Sequence, residues 1–349
     1  MDQPQSRVEL EDKPCPLCGA SHFARYLVSA DNSKAVSGTF QIVRCLDCRH
    51  LYTNPRPTPE TVLNCYPTDY GPHRVHSEAE APQEAAPSTV AEKQTETPQS
   101  RPWYLSPAAR RIPGLRALYY WLTNDYSNII PTGLKSGAQV VELGCANGAF
   151  LQKLQARGCN VEGVEPVASA AEEAKRRGFR VHAGTLESLV LDNNSRDAFF
   201  AWMVVEHLLN PKDTLLEIHR ALRPDGWLVF SVPNAGCWEP ILFSTSWFAY
   251  DLPRHLQHFT PRRLTRLLND CGYDRVTVVH QRNLLNVVSS VGLVLTRWFP
   301  NSPLAQKILA WSDRPTLWCQ LALAPLAVLL AGLHQGGRLT VIARRPAAE

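Results

Sequence analysis

Neither sign of charge dominates this 349-residue chain: 36 lysines and arginines stand against 32 acidic side chains, a net of +4. So small an excess neither demands nor excludes a nucleic acid or an anionic membrane as partner. No secretion signal is expected either, because Met1–Asp12 is polar and charged. Ten cysteines without a secretion signal are expected to stay reduced in the cytoplasm. Residues 72–102 are mostly Ala, Glu, Pro, Gln, Ser and Thr and almost without large apolar side chains. Such a segment cannot offset its ordering entropy and is expected to be a disordered linker. Long apolar runs are scarce: the uncharged stretch 317–333 has 17 residues and contains Gln320 and Pro325. That is the lower limit for crossing a bilayer, so buried packing or shallow membrane-surface contact is expected of it.

What is present falls on either side of the linker. Hydrophobic residues at 44% and charged ones at 19% leave room for two domains, one with a substantial core. We expect a small module over 1–71 and a larger domain over 103–349. In the first, Cys15-Pro-Leu-Cys18 and Cys45-Leu-Asp-Cys48 are two Cys-x-x-Cys pairs separated by 26 residues. Each pair can grip one tetrahedral ion through two thiolates, which predicts a structural Zn²⁺ in a ribbon-like fold, with redox-active cysteines as the alternative. Gly19 lets the chain turn under the sulfurs, and Phe40–Arg44 alternates like a strand. His22 and His50 are read as surface or packing residues, and Cys65 as buried. The prolines at 55, 57 and 59 predict a stiff extended segment.

The larger domain is organised around Val140–Phe150, where a short β-branched strand runs into an acid and then small residues at Gly144, Ala146 and Gly148. A helix pattern follows over Ala149–Arg157, with Phe150, Leu151 and Leu154 on one face. A tight strand–helix turn brings ligand close to backbone N–H groups that the helix leaves unpaired. Strand and helix patterns then alternate: strand Asn160–Glu165, helix Val167–Arg177, strand Phe179–Ala183, strand Asp197–Val205, helix Lys212–Leu222, and a turn and strand over Arg223–Asn234. Helix Arg262–Cys271, strand Tyr273–His280, a helical insertion over 281–337 and strand Arg338–Ala343 complete the series. This pattern predicts a doubly wound parallel sheet. Aromatic residues from Trp103 to Ile130 suggest an amphipathic helix near Arg110–Thr123.

The spacing acid-x-Gly-x-Ala-x-Gly at Glu142–Gly148, then Asp197–Pro211 and Arg223-Pro-Asp-Gly-Trp, resembles the class I S-adenosylmethionine (SAM) methyltransferases of the ubiquinone O-methyltransferase type. Asp251–Thr260 resembles a segment of related enzymes from sugar and cell-surface gene clusters, which often carry a double Cys-x-x-Cys module in front. Ala146 departs from the family's usual middle glycine. The resemblance implies an α/β fold, a seven-stranded Rossmann-like sheet with the last strand antiparallel between the fifth and sixth, and SAM as cofactor. It also implies a cofactor site formed by Glu142, Gly144, Cys145, Ala146, Asn147, Gly148, Glu165, Pro166, Thr185, Leu186, Met203 and Val204. Glu165 would accept both ribose hydroxyls, which suits a bidentate carboxylate at the sheet edge. Glu162, earlier in that strand, is the weaker candidate.

Chemistry is expected from His207 and Glu206, just past the fourth strand, with His207 as general base. In the ubiquinone-type relatives this Glu-His pair, with an acid three residues earlier, is linked to metal binding; here Met203 stands at that earlier position. His255 and His258 are substrate-side candidates, whereas His182, His219 and His280 have no motif behind them. The implied reaction is methyl transfer to a hydroxyl or other nucleophile of a small molecule, glycan or lipid-linked substrate. A ribosomal-RNA methyltransferase with four leading cysteines is the alternative. The modest charge, the lack of an Arg/Lys-rich stripe and the lack of an Asn-Pro-Pro-Tyr-like motif weigh against it, so no nucleic-acid partner is expected. A non-catalytic SAM-fold interaction module is the third reading. The protein is placed in the cytoplasm, with peripheral membrane contact through 317–333.

Overall fold

The computed structural model describes residues 8–66, 126–313 and 316–347. The expected linker and the helix near Arg110–Thr123 therefore lie outside the described residues.

The larger sheet has seven strands: β6 (Gln139–Leu143), β7 (Asn160–Glu165), β8 (Arg180–Ala183), β9 (Arg196–Trp202), β10 (Leu222–Pro233), β12 (Asp274–His280) and β13 (Arg338–Arg344). Their spatial order is β12-β13-β10-β9-β6-β7-β8. The last strand, β13, runs antiparallel to both of its neighbours, and the other adjacent pairs are parallel. Alternation along β9 shows why both faces are covered. Ala198 and Phe200 pack with Val140, Phe150 and Leu154, whereas Phe199 and Ala201 pack on the other face with Leu215, Ile218 and Leu264. The covering helices are α1 (Ala149–Gln155), α2 (Ala168–Arg176), α3 (Pro211–Ala221) and α5 (Pro261–Asp270). A short helix, α4 (Glu239–Phe243), precedes α5. Between β12 and β13 the expected helical insertion is α6 (Leu285–Trp298), α7 (Pro303–Asp313) and α8 (Leu317–Gly332).

The fourth strand stops three residues short of the expected Val205. Met203 takes a left-handed φ of 55°, and its N–H turns to the Ser231 carbonyl at 3.1 Å. The chain then enters a single 3₁₀ turn, Val205–His207, which lifts Glu206 and His207 off the sheet edge.

The N-terminal strands are β1 (Leu10–Glu11), β2 (Phe23–Ala30), β3 (Thr39–Cys45), β4 (Leu51–Thr53) and β5 (Arg56–Pro57). The meander β2-β3-β4 is extended by β11 (Gln257–His258), which lies 200 residues further along the chain, so one sheet joins the two regions. Phe40, Ile42 and Leu51 share their core with Trp247, Tyr250 and Leu252. Across this seam the buried Arg254 forks onto Asp31, with Nη2 2.6 Å from Oδ1 and Nη1 3.1 Å from Oδ2, and its other edge donates to Asp251.

Candidate cofactor and acceptor site

The loop after β6 and the end of β7 build one half of the site. Gly144 and Gly148 have φ of 65° and 79°. A Cβ on Gly144 would stand 2.5 Å from the Val204 side chain, and one on Gly148 2.7 Å from Phe179. Both positions thus need glycine for conformation and for space. Ala146 between them accepts a φ of 46°, a strained geometry for a residue with a Cβ. The Glu165 carboxylate fastens the turn: Oε2 accepts the Ala146 N–H and Oε1 the Val167 N–H, each at 2.9 Å. Burial nonetheless raises its pKa. Glu142 is raised further, by burial and then by the Glu165 charge, and its Oε2 reaches no hydrogen-bond partner.

The other residues of this half divide by orientation. Asn147 caps the helix start through the Ala149 N–H at 3.2 Å, while Pro166 and Thr185 are exposed at the strand ends. Cys145 is turned inward with Leu151 and Ala171, and Leu186 is buried beside Leu143 and Val164. Met203 and Val204 are partly buried at the mouth. Glu162 pairs with Arg180 and Arg196 at 3.1 and 2.9 Å. It lines a polar hollow of about 420 Å³ with Gln139 and Asn160, at the opposite edge of the sheet from the glycine loop.

The second half gathers Glu206, His207 and His255, each with one ligand-capable atom within 4.8 Å of the others. His207 Nδ1 lies 3.0 Å from the Arg254 carbonyl and 2.9 Å from the Tyr66 hydroxyl. A carbonyl only accepts, so Nδ1 carries the proton and Nε2 keeps its lone pair. The same reasoning holds for His255, whose Nδ1 lies 2.8 Å from the Ala249 carbonyl. Burial, with His255 as a second cause, lowers the His207 pKa to about 3, and burial lowers that of His255 too. Glu206 is fully buried, neither oxygen reaches a partner on another residue, and burial pushes its pKa up to about 8. His258, by contrast, sits in the seam with Nε2 3.2 Å from the Thr53 hydroxyl. Sequence reasoning missed Tyr66, Asp31 and Arg338. Arg338 acts electrostatically on both Glu206 and the buried Glu239.

In the N-terminal module the four cysteines converge, with Sγ–Sγ distances of 3.6 Å for Cys15–Cys48 and for Cys18–Cys45. A tetrahedral zinc with bonds of about 2.3 Å needs sulfurs about 3.8 Å apart, so the donors fit the ion. The two knuckles match: Gly19 N–H bonds the Cys15 carbonyl at 2.8 Å and Arg49 N–H the Cys45 carbonyl at 3.0 Å. Both turn residues have positive φ. His22 is exposed, while His50 is buried against Gln257 at 3.0 Å and Cys65 is buried.

Residues 120–278 match the family model described as a methyltransferase domain. That stretch, a little under half of the chain, is similar to a methyltransferase domain. Over 152 residues it is 28% identical to a malonyl-[acyl-carrier protein] O-methyltransferase of Serratia marcescens, covering 43% of this chain and 58% of that protein. A ubiquinone biosynthesis O-methyltransferase of Rickettsia canadensis is 23% identical over 165 residues, 44% of this chain and 67% of that one. Among solved structures, a SAM-dependent methyltransferase from Mesorhizobium loti superposes with a TM-score of 0.41 at 18% identity, over 67% of this chain and 96% of that one. The chain thus spans little more than half of the Serratia protein's length.

Proposed function

We propose that this protein transfers the methyl group of SAM to a hydroxyl or other nucleophile of a small-molecule, glycan or lipid-linked acceptor. A zinc ion on Cys15, Cys18, Cys45 and Cys48 holds the N-terminal module. The observation that supports this reading is adjacency: the glycine loop follows β6, and the turn that carries Glu206 and His207 follows its parallel neighbour β9, with Gly144 against Val204. The two relatives named above are O-methyltransferases, which favours an oxygen acceptor.

Bound SAM supplies a methyl group on a positively charged sulfur, ready for in-line attack. Glu165 accepts the ribose hydroxyls while keeping its backbone bonds, since each carboxylate oxygen has two lone pairs. Met203 and Val204 would border the cofactor, Thr185 would stand where relatives place an adenine-binding acid, and Cys145 and Leu186 back the site from the core. His207 Nε2 takes the acceptor proton as the methyl moves. Its ring is held neutral through the physiological range, and the Asp251 carboxylate favours the imidazolium that forms. Tyr66 and the Arg254 carbonyl fix the ring's orientation through Nδ1–H.

A second role for the same cluster has its own support. Both imidazoles anchor Nδ1–H on backbone carbonyls, which leaves each Nε2 its lone pair, that of His255 3.9 Å from Asp251, near the unpartnered Glu206 carboxylate; this is the donor arrangement of a divalent-cation site. One experiment separates the readings. Methyl-labelled SAM is incubated with cell extract and either the wild-type protein or His207→Ala, and metal content is measured in parallel. The base reading predicts labelled product that falls by roughly two to four decades in the variant, with SAM affinity retained and one metal per chain. A second equivalent of metal, lost with His207→Ala, supports the cation role. No labelled product in any fraction overturns the catalytic reading.

A further inference from the structure

The helices between β12 and β13 have an unusual outer face. Trp318, Ala322, Leu326 and Leu329 of α8 and Leu333 just past its end are exposed, at three- and four-residue spacings that place them on one stripe; Pro325 and Gly332 are exposed on the same side, and the exposed Gln320 lies on the other. That stripe is as apolar as the helix's inner side, and no charged residue occurs from 317 to 333. The end of α6 carries its own exposed apolar tip, Trp298, 74% exposed, and Phe299, 62% exposed. Exposed apolar surface on this scale marks a contact site.

Charge identifies the occupant. Residues 281–337 contain Arg282, Arg297, Lys307 and Arg314 against the single acid Asp313, so this insertion carries +3 of the chain's net +4. Arg297 and Lys307 are exposed beside the apolar tips Trp298 and Leu304. A second copy of the chain would bring the same bases to the contact and repel. An anionic lipid surface instead offers hydrocarbon for the stripe and phosphate for the bases, and tryptophans favour the boundary between them. No helix among the described residues is long and apolar enough to cross a membrane, so the contact lies in the plane of the surface.

We propose that α6, α7 and α8 rest on the surface of an anionic phospholipid bilayer, with the α8 stripe and Trp298 inserted and Arg297 and Lys307 at the headgroups. This deepens the reading of a lipid-linked acceptor, on which it rests for its purpose. Asn286, near the start of α6, binds Arg338 at 2.9 Å, and Arg338 acts on Glu206. The membrane-facing helices therefore begin at the acceptor end of the site.

The test is co-sedimentation of the full chain with vesicles of phosphatidylcholine alone, or of phosphatidylcholine and phosphatidylglycerol in equal parts. It needs no acceptor and no turnover, so its outcome is independent of whether methyl transfer occurs. The variant Trp318→Asp/Leu329→Asp changes only exposed positions, and its SAM affinity, measured alongside, reports that the fold survives. The proposal expects strong binding to the anionic vesicles, weak binding to the neutral ones, and at least a tenfold loss in the variant. Arg297→Gln/Lys307→Gln should lose roughly tenfold or more on anionic vesicles alone, at about fivefold per charge. Absence of binding, equal binding to both vesicles, or an unchanged variant overturns it. So does a dimer in solution that the Asp variant converts to monomer, because the stripe would then be a self-association face.

Discussion

Breaking the buried fork between Asp31 and Arg254 should loosen the whole chain. Both side chains are essentially inaccessible, and the two hydrogen bonds measure 2.6 and 3.1 Å. Asp31→Asn keeps the shape but removes the charge, and it points amide hydrogens at donors, since Asp31 also accepts from the Ser33 and Val36 N–H groups. Removing one partner of a buried pair costs about 3–5 kcal/mol. Asp251 still neutralises part of the guanidinium at 2.6 Å, so the lower end, about 3 kcal/mol, applies. That is a large fraction of a domain's stability of roughly 5–15 kcal/mol. Urea denaturation followed by tryptophan fluorescence measures it. A cycle with Arg254→Met separates the ion pair from packing, because the double variant should regain most of the loss of Asp31→Asn. Since the Arg254 carbonyl also holds His207, methyl transfer should fall more than SAM affinity. A loss under 1 kcal/mol for Asp31→Asn, or strictly additive effects in the cycle, would refute the view that this pair locks the two regions together.

Other perturbations have equally definite outcomes. Cys15→Ser with Cys45→Ser should release one zinc per chain and, because β4 pairs with β11, lower the melting temperature of the chain in a single transition. Zinc retained, or a second transition left unmoved, contradicts this. Glu239 is buried with one oxygen accepting from Trp247 at 2.8 Å, and burial lifts its pKa from 4.5 to about 7. Its folded form therefore holds a proton that the unfolded chain has already lost, and stability should fall as pH rises from about 4.5 to 7, by about 3 kcal/mol in total. Glu239→Gln should flatten that fall, and equal pH slopes for the two proteins in denaturation at pH 5 and 8 would count against it.

Much of this architecture was legible because its signals are local. Strand–helix alternation from Val140 onward is carried by side-chain period, and the order β12-β13-β10 agrees with the antiparallel last strand implied by the family resemblance. The paired cysteines announced their own convergence, although nothing marked Arg49 as the counterpart of Gly19. The seam was invisible for a physical reason. Asp31 and Arg254 are separated by more than 200 residues, as are Leu51 and His258, and neither pair leaves a periodic trace in the sequence. Motif matching placed Glu206 and His207 just beyond the fourth strand, where a 3₁₀ turn carries them. It could not foresee that Met203 breaks the strand early, that Tyr66 reaches His207, or that His255 joins them while His258 turns into the seam. Side-chain direction decides such points, and it follows from tertiary packing.

The most direct test of the account is calorimetric titration of SAM into the wild-type protein and into Glu165→Ala. Glu165 is placed at the meeting point of the glycine loop and the second strand, with both oxygens on backbone N–H groups of that turn. Its removal would take away the proposed acceptor for the ribose and slacken the loop together. The account predicts one SAM site per wild-type chain and a loss of about 1.5–3 kcal/mol in the variant, roughly ten- to a hundredfold in affinity. No SAM binding by the wild type, or equal affinity in the two proteins, would contradict it.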